Sequence, residues 1–469
     1  MNKSDYQVVI GLEIHAELNT NTKIFCACQN KFGEKPNTNC CPVCVGMPGA
    51  LPVLNKNAVK LTIKAGLACD CEINDVAIFE RKNYFYPDLS KAYQISQLVK
   101  PICVGGHIIL DSGKVIRLNR IHLEEDAGKL IHGLSETYVD YNRGGVPLIE
   151  SVTEPDISSA EEAVEFLNKL RNRFVFSDVA KCKMEQGGMR CDVNLSVKRK
   201  DSDKLGTRSE MKNLNSFKSV ARAIEFEANR QIELLEKGEE VVQETRKWDD
   251  EKGISFSLRS KEDSQDYRYF PDPDLLTVNI KRELVQEIKE NMPLMQEQRK
   301  EKYLNEYNLQ KQDVEILAGS KVVSDYFDEC VKKLQEPREI ANWILTNILT
   351  LDISECIPFD SDNLIKIIKM VLDKKITRQN AKELFVKVAE NGEDPELLAK
   401  KMDMLSNIND DEIEKLIDQI INDNPKAVAD YEKTPDKIVQ FLIGNLMKAT
   451  RGKANAEKAR GIIISKLSK

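Results

Sequence analysis

The stretch that decides the fold is Val8-Val-Ile-Gly-Leu-Glu-Ile-His-Ala-Glu-Leu18, where apolar and polar side chains alternate. A period of two is that of a β-strand with one buried face. Glu13, His15 and Glu17 therefore share the opposite face. A carboxylate and an imidazole two residues apart on a strand can reach one metal ion or one phosphate, and a solvated face is the alternative.

Two later segments each place a carboxylate in phase with apolar residues. Glu125 does so in Arg120–Asp126 (RIHLEED), and Glu150 does so in Val146–Glu150 (VPLIE). A buried, unpaired charge is costly, so such carboxylates usually pair with a cation or coordinate a metal. Hard oxygen ligands favour Mg²⁺ or Mn²⁺. We therefore predict one divalent-metal site with four ligands: Glu13, His15, Glu125 and Glu150.

Seven of the 12 cysteines lie within the first 71 residues. The N-terminus lacks the pattern of an export signal, so we expect metal binding or redox chemistry rather than disulfides. The pairs Cys26-x-Cys28 and Cys41-Pro-Val-Cys44 have the spacing of a zinc knuckle, in which four thiolates close a tetrahedral, structural site. Cys40 is a fifth candidate, and reduced buried cysteines remain the alternative.

The pattern changes near Pro293. Before it, residues 1–292 predict a mixed domain, with helices that begin near Ser158 and Ser216 and a helix stop at Gly238. The β-rich runs are Tyr6–Ile14, Lys114–Leu118, Thr137–Tyr141 and Val193–Val197.

After Pro293, amphipathic patterns predict helices only. Residues 389–432 carry 13 acidic and 4 basic side chains, whereas 446–469 carry 7 basic and 1 acidic. We therefore divide the rest into a helical domain, 293–405, and a small tail, 406–469. The predicted class is α+β: a mixed β-sheet domain with flanking helices, then an all-helical domain and a helical tail.

Composition narrows the protein class. The chain has 469 residues, 41% of them hydrophobic and 31% charged, which excludes a disordered chain. No apolar run approaches the roughly 18 residues of a membrane span, so we expect a cytoplasmic protein. The sequence contains neither a G-x-x-x-x-G-K-[ST] loop nor G-x-G-x-x-G, and it has no convincing Ser–His–Asp or Cys–His signature.

Several blocks resemble the GatB family, the B subunits of tRNA-dependent amidotransferases, essentially from end to end. They are VIGLEIHAEL, CCPVCVGMPGALPVLN, RKNYFYPDLSKAYQIS, RIHLEEDAGKLIH, PLIESVTEPDI, MRCDVNLSV and KNLNSFKSVARAIEFE, and FLIGNLMKATRGKAN resembles the family's YqeY-like tail. Three positions depart from the family pattern: Gln186, Val146 and Ser151. None of them is a proposed ligand.

The resemblance implies a carbon–nitrogen ligase with glutamine as the amido donor. In a heterotrimer with GatA and GatC, the chain would use ATP and Mg²⁺ to phosphorylate the side chain of misacylated Glu-tRNA(Gln) or Asp-tRNA(Asn), or both. Ammonia from the GatA glutaminase would then displace phosphate. Zinc would be structural. The rival hypothesis is a zinc-stapled, tRNA-binding scaffold subunit without catalysis.

The resemblance also assigns residues. The four predicted metal ligands match the family's acidic and histidine positions. Lys82 and Tyr84 are expected to contact ATP or the tRNA 3′ end, although an aromatic core strand with extended lysines explains them equally well. Arg190, Asp192 and Asn194 alternate on a strand and are expected to complete the pocket. Five tail cations would face tRNA phosphates, unless they form a solvated helix end: Lys448, Arg451, Lys453, Lys458 and Arg460.

Overall fold

The computed structural model describes residues 5–260, 266–405, 410–429, 431, 434–450, 454 and 456–467. The chain forms two compact units, Met1–Gln296 and Glu297–Lys469. The first combines strands and helices and the second is helical, so the predicted α+β class is confirmed. The division into domains at 292/293 and 405/406 stays a prediction.

Within the part of the first unit that the structure describes, the strands form one large sheet and three small ones. In chain order they are β1 (Tyr6–Glu17), β2 (Glu72–Ile73), β3 (Val76–Ala77), β4 (Glu80–Asn83), β5 (Tyr93–Ser96), β6 (Cys103–Val104), β7 (His107–Ile109), β8 (Val115–Glu125), β9 (Lys129–His132), β10 (Thr137–Asp140), β11 (Pro147–Thr153), β12 (Met189–Arg199), β13 (Ser209–Leu214), β14 (Glu244–Asp249), β15 (Ile254–Ser260), β16 (Phe270–Pro271) and β17 (Val278–Asn279).

The large sheet has the order β15-β14-β13-β12-β1-β11-β8-β6-β2, with β7 paired to β8. Its neighbouring strands are antiparallel, except that β13 and β14 are parallel. The strand predicted from Val8–Leu18 therefore lies in the middle of the sheet. The small sheets pair β16-β4-β5, β10-β9 and β17-β3.

The described residues of this unit form four α-helices: α1 (Lys56–Ala68), α2 (Ala160–Phe176), α3 (Phe217–Glu236) and α4 (Arg282–Glu290). The apolar side chains of β1 are buried with those of α1, α2 and α3 in one core. Ile10 and Ile14 are completely buried there. An antiparallel sheet with one covered face leaves its other face available for polar side chains, and this open face positions the candidate site.

The predicted helix starts agree closely with the structure. Ser216 caps α3, where its side chain accepts a hydrogen bond from Ser219 N, and Gly238 follows the helix with a φ of 77°. The other predicted start is one residue early, because Ser159 rather than Ser158 accepts the hydrogen bond from Glu162 N at 3.2 Å.

Where the structure describes it, the second unit consists of helices around two separate apolar clusters. Its helices are α5 (Gln296–Asn305), α6 (Lys311–Leu317), α7 (Lys321–Lys333), α8 (Pro337–Thr346), α9 (Ser361–Leu372), α10 (Arg378–Asn391), α11 (Pro395–Lys401), α12 (Asp410–Asp423), α13 (Pro425–Ala429), α14 (Pro435–Ala449) and α15 (Ala456–Leu467). Among the described residues, no helix has both the length and the apolarity needed to cross a bilayer.

Candidate active site

The open face of the large sheet gathers polar side chains from neighbouring strands. His15 lies directly opposite Glu150 of β11 and Arg190 of β12, and Glu150 in turn lies opposite His122 of β8. Directly opposed residues of antiparallel strands point to the same face. Four strands therefore supply one continuous polar patch.

His15, Glu124 and Glu150 form the first metal-ligand candidate, the His15 cluster. His15 Nε2 lies 3.5 Å from Glu124 Oε1 and 3.8 Å from Glu150 Oε2. One ligand atom from each residue lies within 4.8 Å of the others. Two carboxylates and one imidazole are a suitable donor set for Mg²⁺ or Mn²⁺.

Glu125 does not join this cluster, so the predicted four-ligand site needs correction. Its Oε1 instead accepts hydrogen bonds from Lys91 Nζ at 2.5 Å and from Ile95 N at 2.9 Å. Glu125 is paired, as expected for a carboxylate in phase with apolar residues, but its partner is a lysine and not a metal. Glu124, one residue earlier, points to the open face and takes the predicted place.

Glu150 is in the cluster, but the apolar phase used to select it was wrong. The completely buried neighbours in β11 are Ile149 and Ser151, which face the helices. Glu150 therefore lies on the open face with His15. Burial there opposes ionisation, but His122 and other nearby groups, among them Lys82, hold the pKa of Glu150 far below its ordinary value.

Glu13 belongs to a second, adjacent group, the Glu13 cluster, with Asp192 and Glu210. Asn194 Nδ2 donates to Glu13 Oε1 at 2.9 Å, and Lys212 Nζ lies 2.5 Å from Asp192 Oδ2 and 2.8 Å from Glu210 Oε1. Burial, followed by the carboxylates of Glu150 and Glu210, raises the pKa of Glu13 above its ordinary value. Three carboxylates against the one ammonium of Lys212 leave an excess of negative charge, which favours a further bound cation.

Lys82 lies beside the His15 cluster among tyrosine rings. Its Nζ is 4.9 Å from the ring centroid of Tyr267 and 5.9 Å from that of Tyr84. Burial opposes its charge, but Glu124 and other nearby groups raise the pKa of Lys82 above its ordinary value. The Tyr84 and Tyr267 rings meet edge to face at 5.8 Å. A buried cation bordered by aromatic faces and carboxylates is suited to a phosphate with an attached base.

Arg190 borders the patch on its other side. Arg190 Nη2 donates to Asp126 Oδ2 at 2.9 Å, and Arg143 Nε lies 3.4 Å from the same oxygen. Burial and the negative charge of Asp126 raise the pKa of the neighbouring Glu17 to about 7. The three predicted residues of β12 therefore lie in two places. Arg190 donates to Asp126, whereas Asp192 belongs to the Glu13 cluster and Asn194 donates to Glu13.

His122 is a further member of the patch that was not predicted. Burial opposes its charge, but Glu150 and hydrogen bonds to Glu124 and Glu150 raise the pKa of His122 to about 9. Its Nδ1 also lies 3.3 Å from Arg120 Nε, which suits a neutral ring that accepts there. In the charged ring and in this neutral tautomer alike, Nε2 carries a proton and faces Glu150.

The four predicted zinc ligands come together. Cys44 Sγ lies 3.5 Å from Cys26 Sγ, 3.7 Å from Cys41 Sγ and 3.8 Å from Cys28 Sγ. Zn–S bonds of about 2.3 Å in a tetrahedron require sulfur separations of about 3.8 Å, so the residues fit the ion. Cys40 is not part of the group, and its Sγ lies 3.8 Å from Asn142 Oδ1.

A buried lysine lies against this thiol group. Lys23 is only 1% exposed, and its Nζ lies 3.4 Å from Cys44 Sγ and 3.1 Å from Tyr141 O. A hydrogen bond from Cys26, together with smaller contributions that include Lys23, holds the pKa of Cys44 below that of a free thiol. The surroundings therefore favour a thiolate at this position.

The predicted tail cations are only partly within the described residues. Arg451 and Lys453 lie outside them. Lys448 is on α14, Lys458 and Arg460 are on α15, and Arg460 Nη2 lies 3.0 Å from Asp436 Oδ1.

Of the three departures from the family pattern, only Ser151 raises a structural question. It is completely buried, and its Oγ has no hydrogen-bond partner among the described residues. Gln186 lies in a short 3₁₀ turn, Met184–Gln186, and Val146 is buried.

Comparisons with known proteins show the family of the chain. The GatB/GatE catalytic domain family matches residues 8–286, and the GatB domain family matches residues 325–467. The aspartyl/glutamyl-tRNA(Asn/Gln) amidotransferase B subunits of Caldicellulosiruptor bescii and Caldicellulosiruptor saccharolyticus are each 48% identical, over 99% of this chain and 100% of theirs. That of Thermoanaerobacter pseudethanolicus is 44% identical over the same shares. The chain therefore belongs to the GatB family of amidotransferase B subunits.

Proposed function

We propose that this chain, as the GatB component of a cytoplasmic heterotrimer with GatA and GatC, activates the side-chain carboxylate of Glu or Asp misacylated on tRNA(Gln) or tRNA(Asn). The observation that carries the proposal is the pair of adjacent acidic clusters on one open sheet face beside Lys82. Magnesium, the ion that their oxygen donors favour, accompanies ATP in most phosphoryl transfers.

The reaction has two steps. A carboxylate oxygen of the substrate bonds to the γ-phosphorus of ATP while the bond to ADP breaks. Ammonia, released from glutamine by GatA, then attacks the acyl carbon and loses a proton as phosphate leaves, which gives the amide. This division of labour explains why the sequence shows neither a hydrolytic nucleophile nor a standard phosphate loop.

The residues of this chain have separate parts in the proposal. The His15 and Glu13 clusters would hold Mg²⁺, which neutralises charge on the phosphate oxygens. Lys82 would bind a phosphate oxygen, and Tyr84 and Tyr267 would border the base of ATP or of the tRNA 3′ end. Zinc on the four cysteines would fix the adjacent loop without taking part in the reaction.

The decisive variant is Glu124→Gln, measured in the co-expressed heterotrimer with ATP and ammonium chloride as the nitrogen source. Ammonium makes the assay independent of GatA. We expect amidation of whichever misacylated tRNA the complex uses to fall at least about 100-fold, because a metal-ligand oxygen is lost, whereas tRNA binding is unchanged. Glu125→Gln is the matched control: Glu125 is also buried but contacts Lys91 and Ile95 rather than the His15 cluster, so the variant should retain amidation.

Normal amidation by Glu124→Gln would contradict the catalytic proposal. It would favour the rival function of a zinc-stapled, tRNA-binding scaffold, in which the two acidic clusters have no chemical role. Separate assays on Glu-tRNA(Gln) and Asp-tRNA(Asn) would also show which substrate the complex uses.

A further inference from the structure

His122 occupies a special position beneath the His15 cluster. It is directly opposite Glu150 in the β8–β11 register and two residues before Glu124 on the same face. Its side chain is 3% exposed, whereas that of His15 is 21% exposed. The two histidines therefore contact the same pair of carboxylates, but only His15 is accessible from the open side of the sheet.

The two ring nitrogens of His122 have different partners. Nε2 lies 3.2 Å from Glu150 Oε2 and 3.6 Å from Glu124 Oε2. Nδ1 lies 3.3 Å from Arg120 Nε, which donates a hydrogen bond to it. A neutral ring that accepts at Nδ1 carries its proton on Nε2. The ring therefore donates towards the carboxylates and has no lone pair there for a metal.

We infer that His122 is a positioning residue that holds the Glu124 and Glu150 carboxylates in place for the divalent cation without binding the cation itself. Ser96 Oγ donates to Glu124 Oε2 at 3.0 Å and supports the same arrangement. Hydrogen bonds to ligating carboxylates fix their orientation, and losing one typically weakens metal binding about 10- to 100-fold. This inference rests on the proposed function of the His15 cluster.

The test is a titration of the full chain with Mn²⁺, followed by electron paramagnetic resonance. We expect His122→Leu to raise the Mn²⁺ dissociation constant about 10- to 100-fold. His122→Gln, whose amide can still donate to Glu150, should recover most of the affinity. His132→Gln, on the exposed strand β9, is the matched control and should bind as the wild type does.

Two further measurements separate positioning from general damage. The metal-free thermal unfolding midpoint of His122→Gln should match that of the wild type, and the amidation activity of His122→Leu in the heterotrimer should be restored by raised Mg²⁺. If His122→Leu does not fold, His122→Asn replaces it, because its shorter amide falls short of Glu150.

Unchanged Mn²⁺ affinity in His122→Leu would overturn the inference. So would equal losses in the Leu and Gln variants, which would make His122 itself a ligand. The variant Glu150→Gln distinguishes these results from failure of the proposed function. If Glu150→Gln binds Mn²⁺ as the wild type does, the His15 cluster is not a metal site, and the proposed function and the inference about His122 both fail. If Glu150→Gln loses Mn²⁺ binding but His122→Leu binds normally, only the inference about His122 fails.

Discussion

Lys23 is a single residue on which the charge balance of the cysteine site depends. Four thiolates around Zn²⁺ carry a net charge of −2, and part of that charge would be buried beside Cys44. Buried charge is costly unless it is paired. The Lys23 ammonium supplies the pairing and also donates to the carbonyl oxygen of Tyr141.

We expect Lys23→Met to weaken zinc binding about 10- to 100-fold, because the substitution keeps the apolar stem and removes only the cation. Competition with a chromophoric chelator would measure the affinity. Lys31→Met, in the same loop but with 64% of the Lys31 side chain exposed, is the control and should bind zinc normally. Equal zinc affinity in the two variants would show that the charge of Lys23 is irrelevant to the site.

Ser151 is completely buried in β11. Its buried hydroxyl has no hydrogen-bond partner among the described residues, which costs about 1–3 kcal/mol. We therefore expect Ser151→Ala to raise the free energy of unfolding of the first unit by about 1 kcal/mol without a change in Mn²⁺ binding. Urea unfolding followed by Trp248 fluorescence, in a Trp343→Phe background, would report on this unit alone. A loss of stability would show that the hydroxyl has a partner.

The elements that the sequence predicted best were strands with one buried face and one open face. The alternation in β1 correctly placed His15 and Glu13 on the open face, and the four β-rich runs and the two helices are all present. The choice between Glu124 and Glu125 failed because the partner of Glu125 is Lys91, which lies on another segment. Periodicity along one strand does not reveal a cation contributed by a distant part of the chain.

The site residues of β8 and β13 that were not predicted also alternate with buried apolar residues. In β8, Arg120, His122 and Glu124 alternate with two completely buried apolar residues, so their common face was readable from the sequence. In β13, Glu210 and Lys212 flank the buried Met211 in the same way. What the sequence could not supply was the strand order, which brings β13 and β8 to opposite sides of β1 and so creates two clusters rather than one.

Helix α2 begins with a side-chain cap at Ser159. Ser159 Oγ satisfies the otherwise unpaired Glu162 N, so Ser159→Ala should lower the free energy of unfolding of the first unit by about 1 kcal/mol. Ser159→Asp, which also accepts at this position, should preserve stability. Trp248 fluorescence in urea measures both variants. Equal stability of Ser159→Ala and the wild type would mean that water replaces the cap without cost.

At the scale of the whole molecule, the net charge of −7 conceals an uneven distribution. Acidic side chains are concentrated in 389–432 and basic ones in 446–469. Within the second unit, one apolar cluster extends from Tyr303 to Met404 and another from Ile413 to Ile463. Because the second cluster is separate, the segment that carries the basic residues has a small core of its own.

A chain that ends at Leu405 should therefore keep the larger cluster of the second unit intact. We expect the urea midpoint reported by Trp343 fluorescence, in a Trp248→Phe background, to be unchanged. In the heterotrimer, the KM for misacylated tRNA should rise. The slope of log KM against the logarithm of salt concentration should also decrease, by about 0.7–0.9 for each tRNA phosphate that the tail would otherwise neutralise. Glutaminase activity is the internal control. An unchanged KM with the same salt dependence would mean that Lys448, Lys458 and Arg460 form a solvated surface and that tRNA binds elsewhere on the complex.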